Sequence, residues 1–412
     1  MLALHFMKLS FPSQINKMHQ MSELISMQDW QSWTWQLRQS LKKKEDFSRQ
    51  FKLSESELLA FHSGAELFNI RTTPYYASLC HNDTNDPIRR ILMPTAQELA
   101  MGYQAQLDPL AETKNNPAPR IIHRYPDRVL FLVTDICSVY CRYCTRKHFT
   151  GQEQAFIKED EYQQALRYIQ SRPGIREVIL SGGDPLTLSD GQIERVLSDL
   201  RKIEHLEIIR LGSRMPVVCP MRMTNELVTI LKKFKPVYLM THFNHPRELT
   251  LEAKAALDLL VDSGIPVMNQ MVLLNGVNNH PAIVQALSRR LLYLRVKPYY
   301  MFQCDPSRGT DHLRTSLEDS ESILRELWGN LSGLAMPNLS VDIPSGGGKV
   351  TLTPNFEISR SEQEREYRGW DGVTEKYINP SAQQKMLPLD FTEYVNEWEE
   401  LKNAKNFIGN IF

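Results

Sequence analysis

From about residue 120 the chain alternates short apolar runs with amphipathic stretches, and no other feature restricts its possible folds as strongly. The apolar runs are Val129–Val133, Glu177–Leu180, Glu207–Leu211, Val237–Met240, Val267–Leu273 and Leu294–Met301. Between them lie stretches of helical period: Glu159–Gln170, Ile193–Lys202, Asn225–Lys233, Leu251–Ser263 and Pro281–Leu291. Strand–helix repeats of this kind predict an α/β fold with a parallel sheet and right-handed crossovers.

The chemistry concentrates after the first of these strands, in TDICSVYCRYCTRKHFTG, Thr134 to Gly151. Cys137, Cys141 and Cys144 are spaced C-x-x-x-C-x-x-C. Three thiolates can hold three irons of a 4Fe–4S cube, leaving the fourth iron open to a small ligand. The alternative is a zinc site, but zinc loops usually pair cysteines as C-x-x-C twice and close the fourth position. The spacing favours the cluster.

Other motifs stand at strand ends. Ser181-Gly182-Gly183-Asp184-Pro185 follows the second strand and reads either as a ligand loop or as a plain turn. Ser345-Gly346-Gly347-Gly348-Lys349 suggests a phosphate loop. It lacks the G-x-x-x-x-G-K-[ST] spacing, and Val350 stands where a magnesium-binding hydroxyl would be. Taken singly, His242 and Gln270 are polar residues on or after strands, and Asp305 and Asp342 suit turns or caps. His123 to Arg128, HRYPDR, reads alone equally as a pair of phosphate-binding arginines and as a surface turn with ion pairs.

Together these motifs change the reading. The cysteine run, with Tyr143 before its last cysteine, resembles the radical S-adenosylmethionine signature. The longer run from His123 to Gly151, continued in patches to Gly348, resembles the lysine 2,3-aminomutase family. The resemblance implies a partial (β/α)6 TIM-like barrel, which the strand count matches, with its active site at the carboxyl ends of the strands. It implies three cofactors: a 4Fe–4S cluster on Cys137, Cys141 and Cys144, S-adenosyl-L-methionine, and pyridoxal 5′-phosphate. Ser181, Gly182, Gly183 and Asp184 then resemble the loop that holds the methionyl amino group, with Gln270 and His242 beside the same cofactor. Lys349 resembles the catalytic lysine that joins covalently to pyridoxal phosphate, with burial expected to favour its neutral form. Ser345 replaces a glycine common in the family, and a negative φ is expected there. Arg124 and Arg128 become phosphate partners, and Arg146 a clamp on the substrate carboxylate. Asp305 and Asp342 match positions that grip the distal ammonium of lysine. The implied reaction interconverts L-lysine and β-lysine by 1,2-amino migration, started by a 5′-deoxyadenosyl radical. Arginine, and less readily glutamate, is the alternative substrate, and a non-catalytic iron–sulfur protein the alternative class. The family's interfacial zinc is not expected, because His280 replaces a cysteine and no cysteine follows Cys304. Cys80, Cys219 and Cys304 are expected to be packing residues.

The flanks say less. Residues 1–118 read as a mainly helical region with a capping box at Ser54–Glu57, turns at Asp86-Pro87 and Asn115–Pro119, and no chemistry of its own. Met18 or Met21 offers another start. Residues 119–305 form the barrel core, 306–359 the pyridoxal-lysine segment, and 360–412 a partly helical tail suited to a dimer contact. Lysine plus arginine and aspartate plus glutamate both number 48, so nothing argues for a nucleic-acid partner. No apolar run approaches the ~20 residues of a membrane span. An open iron needs a reducing compartment, so a cytoplasmic protein is expected, served by an external donor such as flavodoxin or ferredoxin and assembled as a homo-oligomer.

Overall fold

The computed structural model describes residues 11, 25–63, 68–100, 102, 105–151, 154–380, 387–396 and 398–399. Met18 and Met21 lie outside them. The central sheet has nine strands in chain order: β1 (Ile121–Tyr125), β2 (Arg128–Thr134), β3 (Glu177–Gly182), β4 (Ile208–Gly212), β5 (Val237–Thr241), β6 (Val267–Leu273), β7 (Lys297–Gln303), β8 (Asn338–Ile343) and β9 (Gly348–Thr351). β2 to β8 pair in parallel, whereas β1 and β9 are antiparallel edges. The parallel run therefore has one strand more than the sequence repeat suggested. The added strand is β8, which lies beyond the six repeats.

Six helices carry the crossovers: α1 (Glu159–Gln170), α2 (Asp190–Arg201), α3 (Asn225–Lys233), α4 (Leu251–Asp262), α5 (Pro281–Tyr293) and α6 (Leu317–Leu327). Their starts are chemically marked. Ser189, Thr224, Thr250 and Ser316 each accept a backbone N–H in the first turn, as helix caps do. One face of each is apolar; α2 buries Ile193, Val196, Leu197 and Leu200 against the sheet. β7 begins three residues later than the sequence run, because Arg295 turns the chain with φ 62° after α5.

The two sheet edges come within side-chain reach. Tyr125 Oη accepts the Lys349 backbone N–H at 3.0 Å, and an Arg124–Asp342 ion pair spans 3.5 Å. The sheet thus curls into a nearly closed barrel.

The N-terminal region consists of short helices folded onto this barrel. Glu57 and Ser54 form the expected capping box, and Glu57 also pairs with buried Arg89 at 2.7 Å. Asp86-Pro87 is not a free turn: Asp86 caps a helix, Pro87–Leu92. Tyr76 and Thr73 reach the barrel through Glu248 and the Val218 carbonyl, at 2.6 and 2.5 Å. The tail also differs from expectation. Glu357–Arg360, Glu364–Arg368 and Thr374–Ile378 form an antiparallel sheet, β10 to β12, and the helical stretch begins only at residue 391.

Candidate active site

The cysteine loop follows β2 and is stapled from outside and inside. On the outer side, the Tyr140 and Arg142 N–H groups donate to the carbonyls of Arg71 and Ile91 at 3.1 and 2.8 Å. The fully buried Arg142 guanidinium grips Glu98 at 2.5 and 2.9 Å and the Asn69 carbonyl at 3.1 Å. On the inner side, Gly183 and Asp184 donate their N–H groups to the Thr134 and Ile136 carbonyls at 2.6 and 2.8 Å. A Cβ on Gly182 would lie 2.2 Å from the Thr134 carbonyl oxygen, and one on Gly183 2.2 Å from that of Ile136. The glycines therefore admit the neighbouring cysteine loop, where the sequence suggested close approach of a ligand.

Asp184 also has a different place from the one expected. Its carboxylate accepts from Ser213 Oγ at 2.7 Å and from the backbone N–H groups of Arg214 and Leu186 at 2.8 and 3.0 Å. Burial pushes its carboxyl upward while these donors oppose the rise. The side chain ties the β3 and β4 loops together, so only the backbone and Ser181 of this motif remain to face a ligand.

Burial and the neighbouring thiols push Cys137 and Cys144 upward. Donors stand beside two of the sulfurs: the guanidinium Nη1 of Arg214 is 2.9 Å from Cys141 Sγ, and the backbone N–H of Arg146 is 3.3 Å from Cys144 Sγ. Arg214 is itself held by Glu248 and Tyr76 Oη, each at 2.6 Å. Among the described residues no three His, Cys, Asp or Glu side chains are grouped as one metal ion requires. A cube takes each thiolate on a different iron, so its ligands need not converge. Cys219 and Cys304 are buried, with thiols pushed up to about 12 by burial, and Cys80 is buried too, as packing residues are.

His242 follows β5, with its ring 5.5 Å from that of Tyr143. Burial and Arg214 lower it to about 3, so it is neutral. Its Nε2 is buried without a partner among the described residues. Such an orphaned atom costs ~1–3 kcal/mol unless a ligand answers it. Gln270 lies inside β6 rather than at its end.

Arg146 lies between the cysteine loop and the N-terminal region. Its Nε faces both oxygens of Glu112 at 2.9 and 3.0 Å, and its Nη1 donates to Ser181 Oγ at 2.9 Å. Burial alone would lower this guanidinium, but Glu112 and the nearby thiols raise it.

At the opposite edge, Lys349 stands across from Asp342 in the β8–β9 register. Its Nζ is 3.1 Å from Asp342 and 5.1 Å from the centre of the Phe302 ring. The expected burial is not found: 32% of the lysine side chain is exposed, because β9 is an edge strand. Arg124 donates to the Leu110 carbonyl as well as pairing with Asp342. Arg128 pairs with its neighbour Asp127 at 2.7 Å and lies over the Tyr125 ring at 4.0 Å. Asp305 follows β7. Burial and Asp342 raise it to about 7, and no partner is bonded to its carboxylate among the described residues. Ser345 contradicts its expected geometry, with φ at +61°. Gly346 and Gly348 flank the same turn at φ 90° and 85°, so the loop keeps its glycine-like path even where a serine replaces glycine.

Comparison with known proteins decides the family. The Radical SAM superfamily model matches residues 131–285, and the Lysine-2,3-aminomutase model matches 324–411. The chain is 43% identical to the L-lysine 2,3-aminomutase of Clostridium subterminale over 89% of its own length and 88% of the relative's. It is 44% identical to that of Fusobacterium nucleatum, over 86% and 84%. The glutamate 2,3-aminomutase of Clostridioides difficile is 40% identical over 86% and 84%.

The chain belongs to the lysine 2,3-aminomutase family. It is an isomerase of the radical S-adenosylmethionine type, and membership implies a 4Fe–4S cluster and S-adenosylmethionine. The residues present fit both groups: three thiols, one beside the Arg214 guanidinium and one beside a backbone N–H, and the orphaned His242 Nε2 close by. Among the described residues no helix is long and apolar enough to cross a membrane.

For this aminomutase the sequence pattern missed Glu112, Tyr125, Ser213 and Arg214 as parts of the site. Tyr125 lay inside a quoted motif. The others carry no spacing signal, since each joins the site through a contact between distant segments. The N-terminal region, where the sequence indicates no chemistry, touches the candidate site through Glu112, Glu98 and the Leu110 carbonyl.

Proposed function

We propose that this protein interconverts L-lysine and β-lysine, with pyridoxal 5′-phosphate held on Lys349. The acidic pair beside that lysine carries the reading. Asp342 is already matched by Lys349 and Arg124, while Asp305 is raised to about 7 and lacks a bonded cation among the described residues. Such a pair suits a ligand that arrives with a positive tail. The distal ammonium of lysine would settle Asp305 in its charged form, whereas a carboxylate tail would add repulsion to a partly buried acidic site.

When bound, S-adenosylmethionine on the reduced cluster would supply the radical that takes a β-hydrogen, and pyridoxal phosphate would supply the aldehyde that holds the amino nitrogen as it moves from the α- to the β-carbon. The chain's own residues set the geometry. Arg146 holds the α-carboxylate at the cysteine end, and Asp305 and Asp342 hold the tail at the lysine end. Two fixed ends orient the β-carbon and reduce the entropy lost on the way to reaction. Neutral His242 offers a ring nitrogen beside the S-adenosylmethionine site. Arg124 and Arg128, on either side of Tyr125, serve the phosphate, with the Tyr125 hydroxyl fixing the Lys349 backbone. An external flavodoxin or ferredoxin supplies the electron in the cytoplasm, and the tail, where Trp370, Tyr377 and Ile378 are exposed, joins copies into a homo-oligomer.

The test is an anaerobic assay of cluster-reconstituted protein with both cofactors and a reductant, offering lysine, arginine and glutamate separately. β-Lysine as the sole product supports the reading. Turnover of arginine would show that the same two acids take a guanidinium, and turnover of glutamate would overturn the role given to them.

A further inference from the structure

We propose that Glu112 is a positioning residue that holds Arg146 in the pose needed to take the substrate's α-carboxylate. This deepens the reading above and rests on its assignment of Arg146. Glu112 is 4% exposed, and its carboxylate meets Arg146 Nε through both oxygens. Ser181 occupies Nη1. Among the described residues Nη2 donates to no protein acceptor, and 20% of the Arg146 side chain remains exposed. The guanidinium is therefore held at Nε and Nη1, and Nη2 is left to meet a ligand. A planar fork fixed this way loses little rotamer freedom when a carboxylate binds it.

Glu112 is in turn fixed by its own segment. Asp108 accepts the backbone N–H groups of Glu112 and Thr113 at 2.9 and 2.8 Å, and Ala111 turns the chain with φ 49°. Leu110 in the same turn accepts from Arg124, and Asn115 and Ala111 lie within 3.3 Å of the Cβ position of Gly346. One short strap from the N-terminal region thus touches the arginine at the cysteine end and the loop at the lysine end. It can set the distance between the two ends of a bound amino acid.

The experiment compares Glu112→Ala, Glu112→Asp, Glu112→Gln and Arg146→Lys in the reconstituted enzyme. Loss of a charged hydrogen bond predicts a KM for lysine raised about 10- to 100-fold in Glu112→Ala, with kcat changed less than about threefold. Glu112→Gln, which keeps an acceptor for Nε, should restore most of the affinity, and Glu112→Asp, one methylene shorter, should fall between. The second readout is inhibition by 1,5-diaminopentane, which has both amines and no carboxylate. Its inhibition constant should be the same in wild type and every Glu112 variant, whereas general damage to the fold would move it together with KM. If Arg146→Lys raises KM and Glu112→Ala and Glu112→Asp do not, this inference is overturned and the role of Arg146 stands. If Arg146→Lys leaves KM unchanged, the carboxylate assignment itself fails, and Glu112 with it. If the alanine variant does not assemble its cluster, the aspartate and glutamine variants decide by the same two constants.

Discussion

At the cysteine loop, charged side chains are answered from within the protein: Arg142 by Glu98, Arg214 by Glu248, Asp184 by Ser213 and two backbone amides. At the lysine loop, charges are answered by other members of the site. Lys349 and Arg124 share Asp342, and Asp305 has no bonded partner among the described residues. The first region is tied to elements far away in sequence and is built before any ligand arrives. The second sits on an edge strand, partly exposed, with its acidic charge left for a ligand to complete. The contrast suits the tasks given to them. A cluster needs thiols fixed in advance, whereas a loop proposed to exchange one amine for another needs charges that can change partners.

The largest expected effect lies in the prebuilt half. Glu98→Ala leaves the wholly buried Arg142 guanidinium without its counter-charge. Breaking such a pair costs about 3–5 kcal/mol. Denaturant titration of the purified chain should show that loss, and iron content after reconstitution should fall with it. An unchanged midpoint would mean that the loop is not held from the N-terminal side. In the ligand-completed half the corresponding change should leave the fold intact. Asp342→Asn is expected to raise KM for lysine about 30-fold or more, the cost of a charge pair left incomplete, while the cluster's absorption stays as in wild type. A lost cluster in that variant would erase the distinction between the two regions.

Asp305 sharpens the comparison through pH. Because its carboxyl is raised to about 7, it is protonated in the free enzyme below that value. KM for lysine should fall as pH rises through about 7 and then level off. The stability effect has the opposite sign. The unfolded chain loses this proton near the ordinary value of 3.8 while the folded chain keeps it to about 7, so stability declines across that window and stays lower above it. Asp305→Asn should therefore stabilise the free protein at pH 8 and leave it unchanged near pH 3.5, as melting curves at the two pH values would show. Equal melting shifts would place the charge of Asp305 outside the site.

Much of the prebuilt half was legible in the sequence because its parts are local. The strands, the cap at Ser54, the cysteine spacing and the glycine motif each lie within a few residues. What holds them together was not legible. Glu98–Arg142, Glu112–Arg146 and Asp184–Ser213 join residues 44, 34 and 29 positions apart, and no periodicity announces such pairs. That is why Asp184 was read as a ligand-facing acid and the N-terminal region as silent. Lys349 shows the converse error. Its motif was plain, but its burial depended on β9 being an edge strand, which sequence alone did not say. The tail sheet was missed because Glu364–Arg368 and Thr374–Ile378 are mostly charged or polar and lack the apolar alternation that marks a half-buried strand.

The smallest effect tests how much strain the lysine loop tolerates. Ser345 holds φ at +61°, where an L side chain pays roughly 1–2 kcal/mol relative to glycine. Glycine would remove that cost but give back ~0.5–1 kcal/mol through its freer unfolded chain. Ser345→Gly should therefore stabilise the free protein by no more than about 1.5 kcal/mol, measured as a small upward shift in denaturation midpoint. The flanking glycines predict the reverse. Gly347 has an ordinary backbone angle, but a Cβ there would lie 2.6 Å from the Ile343 side chain. Gly346 at φ 90° would impose on alanine the strain that Ser345 already bears. Gly346→Ala and Gly347→Ala should both destabilise the loop, and if Ser345→Gly did so as well, the left-handed turn would have to be held by the serine side chain rather than merely tolerated by it.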